Sequence, residues 1–482
     1  MENKTLHEIL HGKDIHAACG GRGTCGKCKV RVKGEVSPMT NAERKFLTES
    51  EINSGIRLAC MTYPTGEYTV ELISDTVMQI QTAGITGNHV ISPLNGEYGV
   101  AVDIGTTTVV VYLCDLKAGT IAQTAAFRNP QAAYGADVIT RIGYINDNNA
   151  LDELRDSIVN GLNDAIGSFG IAREKINAVV ITGNTTMEHI FAGLDPKGIA
   201  NAPFTPASLF GDTLTAAESK LAVADGAVVY MMPCFSAYVG GDIATGIAAA
   251  DVDISDETVL YIDIGTNGEI ALGNKDKMDV CSAAAGPAFE GAKIEKGMPG
   301  VKGAVSKVWV EDGELKFSVI GDVKPIGICG SGLIDAIAAM LELEVIDETG
   351  YLDEPFFIDE ANDIYISGAD VRELQLAKGA ISAGILTLME ITNRDIDKVI
   401  IAGGFGSFMN PKNACKIGLI PSQFRDIITS VGNTAGAGAA LYLLSGDIRN
   451  RIDKVTHGAE YIELSGNMIF MDKFIEQMYF EE

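Results

Sequence analysis

Three cysteines lie within ten residues near the start of the chain, in the stretch CGGRGTCGKC, with four glycines among them. Their spacing is C-x5-C-x2-C, and Cys60 follows after 31 intervening residues. Four thiolates on one loop can hold a cluster of two irons and two sulfides, whose sulfurs need backbone N–H donors nearby. Glycine permits both the tight wrap and the close approach. The candidate cluster ligands are therefore Cys19, Cys25, Cys28 and Cys60.

Two other interpretations of these cysteines remain open. Structural zinc usually needs two C-x2-4-C pairs, and the second pair is missing here. The four thiols could also be unrelated. A disulfide network is not expected in a large cytosolic chain. The other cysteines stand singly in apolar or glycine-rich surroundings and are predicted to be small core residues: Cys114, Cys234, Cys281, Cys329 and Cys415.

The stretch 99–113, GVAVDIGTTTVVVYL, predicts a β-hairpin, because two β-branched runs flank a turn rich in Gly and Thr. Its turn residues Gly105, Thr106 and Thr107 supply N–H groups and hydroxyls that can hold phosphate oxygens. Asp103, at the end of the first strand, could hold Mg²⁺ through water. Taken alone, this hairpin could equally be a plain surface hairpin.

The same pattern returns at 260–272, LYIDIGTNGEIAL. Two copies, each preceded by an apolar strand, indicate a duplicated fold that binds phosphate from two sides. Asp263, Gly265 and Thr266 align with Asp103, Gly105 and Thr106, and Asn267 joins the second turn. Glu269 and Asp242 are weaker candidates for orienting water.

Two further glycine turns are candidates for nucleotide contact. The stretch 327–335, GICGSGLID, predicts a turn that enters a helix, and a helix N-terminus attracts anions. The stretch 399–408, VIIAGGFGSF, predicts a buried strand followed by a turn that suits a flat base or ribose. Each turn alone is more often structural than functional, so it is their order along the chain that is informative. The candidate contacts are Gly330, Gly403, Gly404 and Phe405.

Length and composition limit the choices of architecture and partner. A chain of 482 residues is too long for one core and is predicted to divide into 1–75, a flexible linker at 76–97, 98–255 and 256–482. A net charge of −27 argues against nucleic acid and anionic membranes as partners. No apolar stretch of about 18 residues is free of charges or helix breakers, and the N-terminus lacks a secretory h-region. A cytoplasmic protein is expected.

The order of motifs after residue 98 resembles the actin-like ATPase superfamily, which includes actin, heat-shock ATPases and sugar kinases. That superfamily has a phosphate hairpin, a connecting helix, a second phosphate hairpin, a Gly-Gly adenosine turn and a second connecting helix. The matching stretches are 103–108, roughly 240–250, 263–269, 402–406 and 433–444. The cysteine spacing resembles a [2Fe-2S] ferredoxin domain, nearer the adrenodoxin type because its first gap has five residues. With 18 residues before Cys19, the usual first hairpin is expected to be absent or very short.

With the ferredoxin pattern in front, the chain resembles the reductive activators of corrinoid proteins. The resemblance implies an α/β fold of two actin-like (ribonuclease H-like) ATPase lobes, with a small β-grasp-type ferredoxin domain lacking its first hairpin. It implies ATP, Mg²⁺ and a [2Fe-2S] cluster as cofactors, and transfer of one electron to Co(II) of a corrinoid protein. Asp103 and Asp263 would organise Mg²⁺ and its waters, with Asp263 orienting the attacking water. The low-potential electron donor and the oligomeric state stay open, with a homodimer among the options.

Three other function classes fit parts of the sequence. A small-molecule kinase of the same superfamily would have no use for a cluster. An activator of a radical dehydratase would need a [4Fe-4S] cluster between two subunits, with ligands among Cys234, Cys281 and Cys329. A nucleotide-gated binding module would hold ATP and barely turn it over.

Overall fold

The computed structural model describes residues 4–10, 21, 23, 26, 28–72, 89–265, 267–406 and 408–481. The predicted ligands Cys19 and Cys25, the phosphate contact Thr266 and part of the predicted linker, 76–88, lie outside the described residues.

The first domain packs short helices against a three-stranded antiparallel sheet of order β2-β1-β3. The alternating polar and apolar residues of KVRVKGEV form β1, whose Val30 packs with Leu6 and Leu58 in the domain core. All three strands follow the cysteine loop. The elements are α1 (Leu6–Ile9), β1 (Lys29–Val36), α2 (Glu43–Phe46), α3 (Glu49–Asn53), β2 (Ile56–Leu58) and β3 (Pro64–Leu72).

The second region forms a six-stranded sheet of order β6-β5-β4-β7-β9-β8, with β4 near its centre. Its central strands are β-branched runs buried on both faces, which favours this position. The elements are β4 (Tyr98–Ile104), β5 (Thr108–Asp115), β6 (Thr120–Arg128), α4 (Val138–Asn148), α5 (Leu151–Ser168), β7 (Ile176–Gly183), α6 (Thr185–Ala192), α7 (Lys197–Ala200), β8 (Thr213–Thr215), α8 (Ala216–Ser219), β9 (Val228–Met231) and α9 (Gly241–Ala249).

The third region forms a second six-stranded sheet, of order β19-β18-β10-β11-β12-β20, with a small sheet of order β14-β13-β15 beside it. Its elements are β10 (Val259–Ile264), β11 (Gly268–Gly273), β12 (Met278–Ala283), β13 (Ala304–Glu311), β14 (Glu314–Val319), β15 (Gly327–Ile328), α10 (Gly330–Glu342), β16 (Phe356–Asp359), β17 (Ile364–Ile366), α11 (Gly368–Thr392), β18 (Lys398–Ala402), α12 (Gly403–Gly406), α13 (Pro411–Lys416), β19 (Ile428–Gly432), α14 (Thr434–Leu444), α15 (Gly446–Gly458), β20 (Glu460–Tyr461) and α16 (Met468–Glu476).

The two large sheets repeat one topology. In the first, β4 pairs antiparallel with β5 and parallel with β7. In the second, β10 pairs antiparallel with β11 and parallel with β18. The outer strands correspond as well, because β6 and β12 are antiparallel neighbours while β9 and β19 are parallel ones. The duplication predicted from the repeated hairpin is therefore present in the fold.

Two helices, α9 and α14, cross between the sheets. Ala244 and Ala248 of α9 join α14 in a core beneath the first sheet, while Ile243 and Ile247 reach the second sheet. The crossing is very close, because a Cβ added at Gly438 of α14 would lie 2.1 Å from the Thr245 carbonyl oxygen. The small residues of the stretches 240–250 and 433–444 allow this close packing.

Gly438→Ala is expected to lower the free energy of unfolding by about 1–3 kcal/mol, because the added methyl group forces the crossing helices apart. The matched control is Gly167→Ala, in α5, where an added Cβ meets nothing within 4 Å. Alanine there is expected to raise helix stability by up to about 1 kcal/mol. Denaturant unfolding of both variants measures the difference, and equal effects would contradict the close crossing.

The second part of the predicted linker is held against the fold. The Ser92 N–H donates to the Leu444 carbonyl at 2.8 Å, and the Leu94 N–H donates to the Leu443 carbonyl at 2.9 Å. These bonds satisfy carbonyls at the end of α14, which helices otherwise leave unpaired. Residues 92–94 therefore lie along α14, whereas a flexible linker was expected over this stretch.

One helix of the described chain, α11, is long and apolar enough to cross a membrane by length and composition, but 72% of its apolar window is buried inside the protein. Such burial is typical of a core helix.

Candidate functional site

A cleft of about 510 Å³ opens between the two large sheets, and the predicted nucleotide residues converge on it. It lies where the first strands of both sheets end, the usual ligand position in α/β folds. Thr266 is outside the described residues. The predicted residues that line the cleft are Asp103, Gly105, Thr106, Thr107, Asp263, Gly265, Asn267, Gly330, Gly403, Gly404 and Phe405.

Both predicted hairpins are confirmed, and their registers place the carboxylates. Asp103 pairs with Val110 across β4 and β5, leaving 105–107 as the turn. Asp263 pairs with Glu269 across β10 and β11, and the Gly265 N–H donates to the Asn267 carbonyl at 2.8 Å within the second turn. Each hairpin therefore presents its aspartate and its turn to the same cleft.

Five carboxyl groups line the cleft: Asp103, Asp242, Asp263, Glu269 and Glu290. Burial raises the pKa of Asp103 to about 6, although a hydrogen bond from Asn433 opposes the shift. Burial and then the charge of Asp103 raise the pKa of Asp263 to about 7. The pKa values of Asp242 and Glu269 are also raised well above normal, by burial first and then by neighbouring carboxylates. Such a cluster favours a bound cation.

The arrangement of the carboxylates suits a Mg²⁺ ion that keeps most of its waters better than a metal ion whose ligands are all side chains. Among the described residues, no three His, Cys, Asp or Glu side chains form a group that could hold a metal ion. Mg²⁺ usually binds through one or two carboxylates and keeps several waters. Asp103 and Asp263 would be those carboxylates.

Two asparagines that the sequence did not single out hold predicted site residues in place. The Asn433 side chain donates to Asp103 Oδ2 at 2.8 Å. The Asn184 side chain donates to Thr106 Oγ1 at 3.0 Å. Asn184 caps α6 directly after β7, and Asn433 caps α14 directly after β19. Their position at strand ends was the available signal.

Lys307, on β13, is the cationic residue among the described residues that line the cleft. This residue is exposed, at a cleft otherwise rich in carboxylates. A nucleotide triphosphate carries several negative charges, so one cation at the cleft suits phosphate binding. No motif in the sequence marked this lysine.

The predicted adenosine turn forms an aromatic wall. Phe405 stacks on Phe289 with ring centroids 5.1 Å apart. Gly330, the first residue of α10, packs against this pair, since a Cβ there would lie 2.7 Å from the Phe405 ring. Gly403 has φ +84, a conformation that favours glycine, and a Cβ there would lie 2.3 Å from Asp263 Oδ1.

Gly403→Ala is expected to weaken nucleotide binding about tenfold or more, because the methyl group displaces the Asp263 carboxylate and strains the backbone by about 1–3 kcal/mol. Titration calorimetry with ADP and Mg²⁺ measures the loss. The matched control is Gly226→Ala, where an added Cβ meets nothing within 4 Å. Equal affinities in both variants would show that Gly403 does not support the site.

The two predicted cluster ligands that the structure describes come together. Cys28 Sγ and Cys60 Sγ are 3.2 Å apart, too far for a disulfide bond between them. The Ala59 N–H donates to the Cys28 carbonyl at 2.8 Å, which ties the 3-10 helix Ala59–Met61 to the cysteine loop. The sulfurs are close enough for one iron to bind both.

The loop around these sulfurs depends on its glycines. Gly23 and Gly26 have φ +74 and +65, and added Cβ atoms would lie 2.5 Å from Met61 and 2.6 Å from Phe46. Only a bare backbone fits between the cysteines and these side chains. The described residues thus fit a [2Fe-2S] cluster, whereas Cys234, Cys281 and Cys329 are separately buried in the ATPase-like lobes.

Comparison with known proteins agrees with this architecture. Residues 257–482 match the C-terminal ASKHA domain of RACo, residues 98–255 match the RACo middle region, and residues 1–65 match a 2Fe-2S iron–sulfur cluster binding domain. The corrinoid activation enzyme RamQ of Eubacterium limosum is 32% identical over 97% of this chain and 94% of its own length. The chain belongs to the RACo family.

Other RACo-like proteins extend the comparison. A solved structure of a reductive activator for corrinoid, iron–sulfur protein superposes with a TM-score of 0.74 at 33% identity, covering 99% of this chain and 96% of that one. The [Co(II) methylated amine-specific corrinoid protein] reductase of Methanosarcina barkeri is 25% identical over 79% of this chain and 76% of its own length. The fold class and family predicted from the sequence are confirmed.

Proposed function

We propose that this protein is an ATP-dependent reductive activator that passes one electron to Co(II) of a corrinoid protein and regenerates Co(I) for methyl transfer. The observation that carries the proposal is the alignment with RamQ over 97% of the chain, which includes both the cysteine loop and the duplicated cleft. The paired sulfurs and the acidic cleft supply the two chemistries that such an activator needs.

The proposed electron carrier is a [2Fe-2S] cluster held by Cys19, Cys25, Cys28 and Cys60. When bound, it supplies a one-electron donor whose potential responds to nearby N–H groups and solvent. Cys28 and Cys60 position two thiolates 3.2 Å apart. The glycines of the loop let backbone donors approach the sulfurs.

In the cleft, Asp103 and Asp263 would hold Mg²⁺, and Asn433 keeps the Asp103 carboxylate in its orientation. The turns 105–107 and 265–267, with Lys307, hold the phosphates. Asp263 orients the attacking water. Gly403, Gly404 and Phe405 contact the adenosine, and Gly330 lies at the N-terminus of α10, beside them.

Nucleotide coupling is sufficient in size for an uphill electron transfer. Each 59 mV of unfavourable one-electron potential difference corresponds to about 1.4 kcal/mol. A ligand that binds one conformation about 10⁴-fold more tightly shifts the equilibrium by about 5.5 kcal/mol. Nucleotide binding can therefore favour the state in which the electron leaves.

The decisive experiment mixes anaerobically purified protein with a low-potential reductant, ATP and a Co(II) corrinoid protein from the same organism. Loss of the Co(II) absorption and growth of the Co(I) absorption is expected, with little change when ATP is omitted. No Co(I) with any corrinoid protein of that organism would overturn the proposal. Phosphate release with and without the corrinoid protein separates an ATPase from a module that only binds nucleotide.

The other function classes have less structural support. A kinase would keep full activity after all four candidate cysteines are replaced by serine. The dehydratase-activator model needs exposed cysteines that can bridge two subunits, but Cys234, Cys281 and Cys329 are each at most 5% exposed. Four points stay predictions: the domain boundaries, a homodimer, a low-potential electron donor and a cytoplasmic location.

A further inference from the structure

Residues 129–141 form hydrogen bonds to the backbone carbonyls of the first phosphate turn, 105–107. The Asn129 side chain donates to the Gly105 carbonyl at 2.8 Å, and its backbone N–H donates to the Thr107 carbonyl at 2.9 Å. Arg141 Nη2 donates to the Thr106 carbonyl at 2.5 Å. Carbonyls that turned toward a phosphate would repel it, so these three bonds keep the turn suited to an anion.

Arg141 depends in turn on the backbone just before it. This fully buried side chain donates from Nε to the Gly135 carbonyl at 3.0 Å and from Nη1 to the Gln131 side chain at 3.3 Å. Burial lowers its pKa to about 9. Because a buried guanidinium needs its acceptors in place, movement of 131–135 would move Arg141 and the turn.

The same segment contacts the first domain on its other side. His7 is buried, and its Nε2 donates to the Ala133 carbonyl at 2.9 Å. The charge of Glu8, on α1, also contributes to the raised pKa of Tyr144, on α4, after burial and Glu153. The hydrogen-bonded contact lies between α1 and the 3-10 helix Pro130–Ala133.

Helix α1 is also tied to the cysteine region. Leu6 is fully buried in the first-domain core, and its N–H donates to the Thr62 carbonyl at 2.7 Å, two residues after Cys60. A Cβ at Gly21, in the cysteine loop, would lie 3.0 Å from His7 Nδ1. Helix α1 therefore contacts the cysteine loop, the chain next to the 3-10 helix that contains Cys60, and the segment 129–141 that supports the first phosphate turn.

We propose that segment 129–141 is the docking surface for the iron–sulfur domain, and that docking through His7 and nucleotide binding at the first phosphate turn strengthen each other. The docked histidine steadies Ala133, and with it the acceptors that fix Arg141. Linkage is reciprocal, so bound nucleotide must favour the docked domain by the same factor. The inference rests on the nucleotide part of the proposed function.

The test uses the full chain with its cluster and compares His7→Ala with His7→Gln. His7→Ala is expected to weaken ADP–Mg²⁺ binding about fivefold, at the low end of typical coupling. His7→Gln retains an Nε2 donor for the Ala133 carbonyl and is expected to recover most of that loss. The matched control is His457→Ala, at an exposed side chain of α15, which is expected to bind as the unmodified protein does.

Hydrogen exchange gives a second test. ADP–Mg²⁺ is expected to slow amide exchange in residues 4–10 as well as in 130–141, and His7→Ala is expected to remove the effect at 4–10. The inference would be overturned if both His7 variants bound nucleotide with the affinity of the unmodified protein and if nucleotide did not slow amide exchange at 4–10. Absence of any nucleotide binding by the unmodified protein would instead overturn the ATP part of the proposed function.

Discussion

Asp263→Asn is expected to lower ATP hydrolysis and ATP-dependent Co(I) formation at least about 100-fold, the loss typical when one preorganised electrostatic group is removed. Asn has nearly the same shape, so Gly403 still packs against it, but the negative charge that organises Mg²⁺ and its waters is gone. Steady-state phosphate release and the Co(I) absorption measure the two losses.

The control for this variant is Asp225→Asn, the same change at a side chain that is 94% exposed. It is expected to change neither rate, because surface substitutions away from a site rarely matter. The cluster absorbance of Asp263→Asn is expected to be normal, since the candidate cysteines all precede residue 61. A variant that kept more than half its activity would remove Asp263 from the mechanism.

Cys60→Ala is expected to abolish Co(I) formation and the broad visible absorption of the cluster. Changes to outer-shell partners alone cost about 10- to 100-fold in metal affinity or activity, so loss of a ligand is expected to cost at least about 100-fold. Nucleotide is still expected to bind, because every described residue lining the cleft lies beyond residue 100. Anaerobic visible spectra and calorimetry report the two properties separately.

The matched control is Cys415→Ala, which removes a buried thiol on α13 far along the chain from the cysteine loop. It is expected to keep the cluster absorbance and to lose only packing stability. Normal absorbance in Cys60→Ala, or its loss in Cys415→Ala, would mean that the ligands were assigned wrongly.

The sequence was sufficient for the parts of the site that follow from local repetition. Asp103 and Asp263 could be paired because their hairpins are near copies, and the hairpin register follows from alternating apolar residues. Cys28 and Cys60 could likewise be named, because Cys28 belongs to a local cysteine motif and Cys60 follows where the chain comes back to that loop. These residues could be named before any tertiary contact was known.

The residues that sequence reasoning did not identify depend on contacts between distant parts of the chain. Asn433 meets Asp103 across 330 positions of sequence, and His7 meets Ala133 across 126. Arg141 carried no signal, because a lone arginine in an amphipathic helix is usually solvent-exposed. Only the packed fold shows that this one is fully buried behind a turn.

The backbone contact between α9 and α14 has a mechanical consequence. Where Gly438 meets the Thr245 carbonyl, no layer of side chains lies between the helices that could be compressed. The crossing is therefore expected to act as a pivot, so that a change in cleft width would be a rotation about it. Asp242 and Asn433 lie at the N-terminal ends of these two helices, close to the contact. Rotation would leave their carboxylate and amide nearly in place, while cleft residues farther from the crossing would swing through a larger arc.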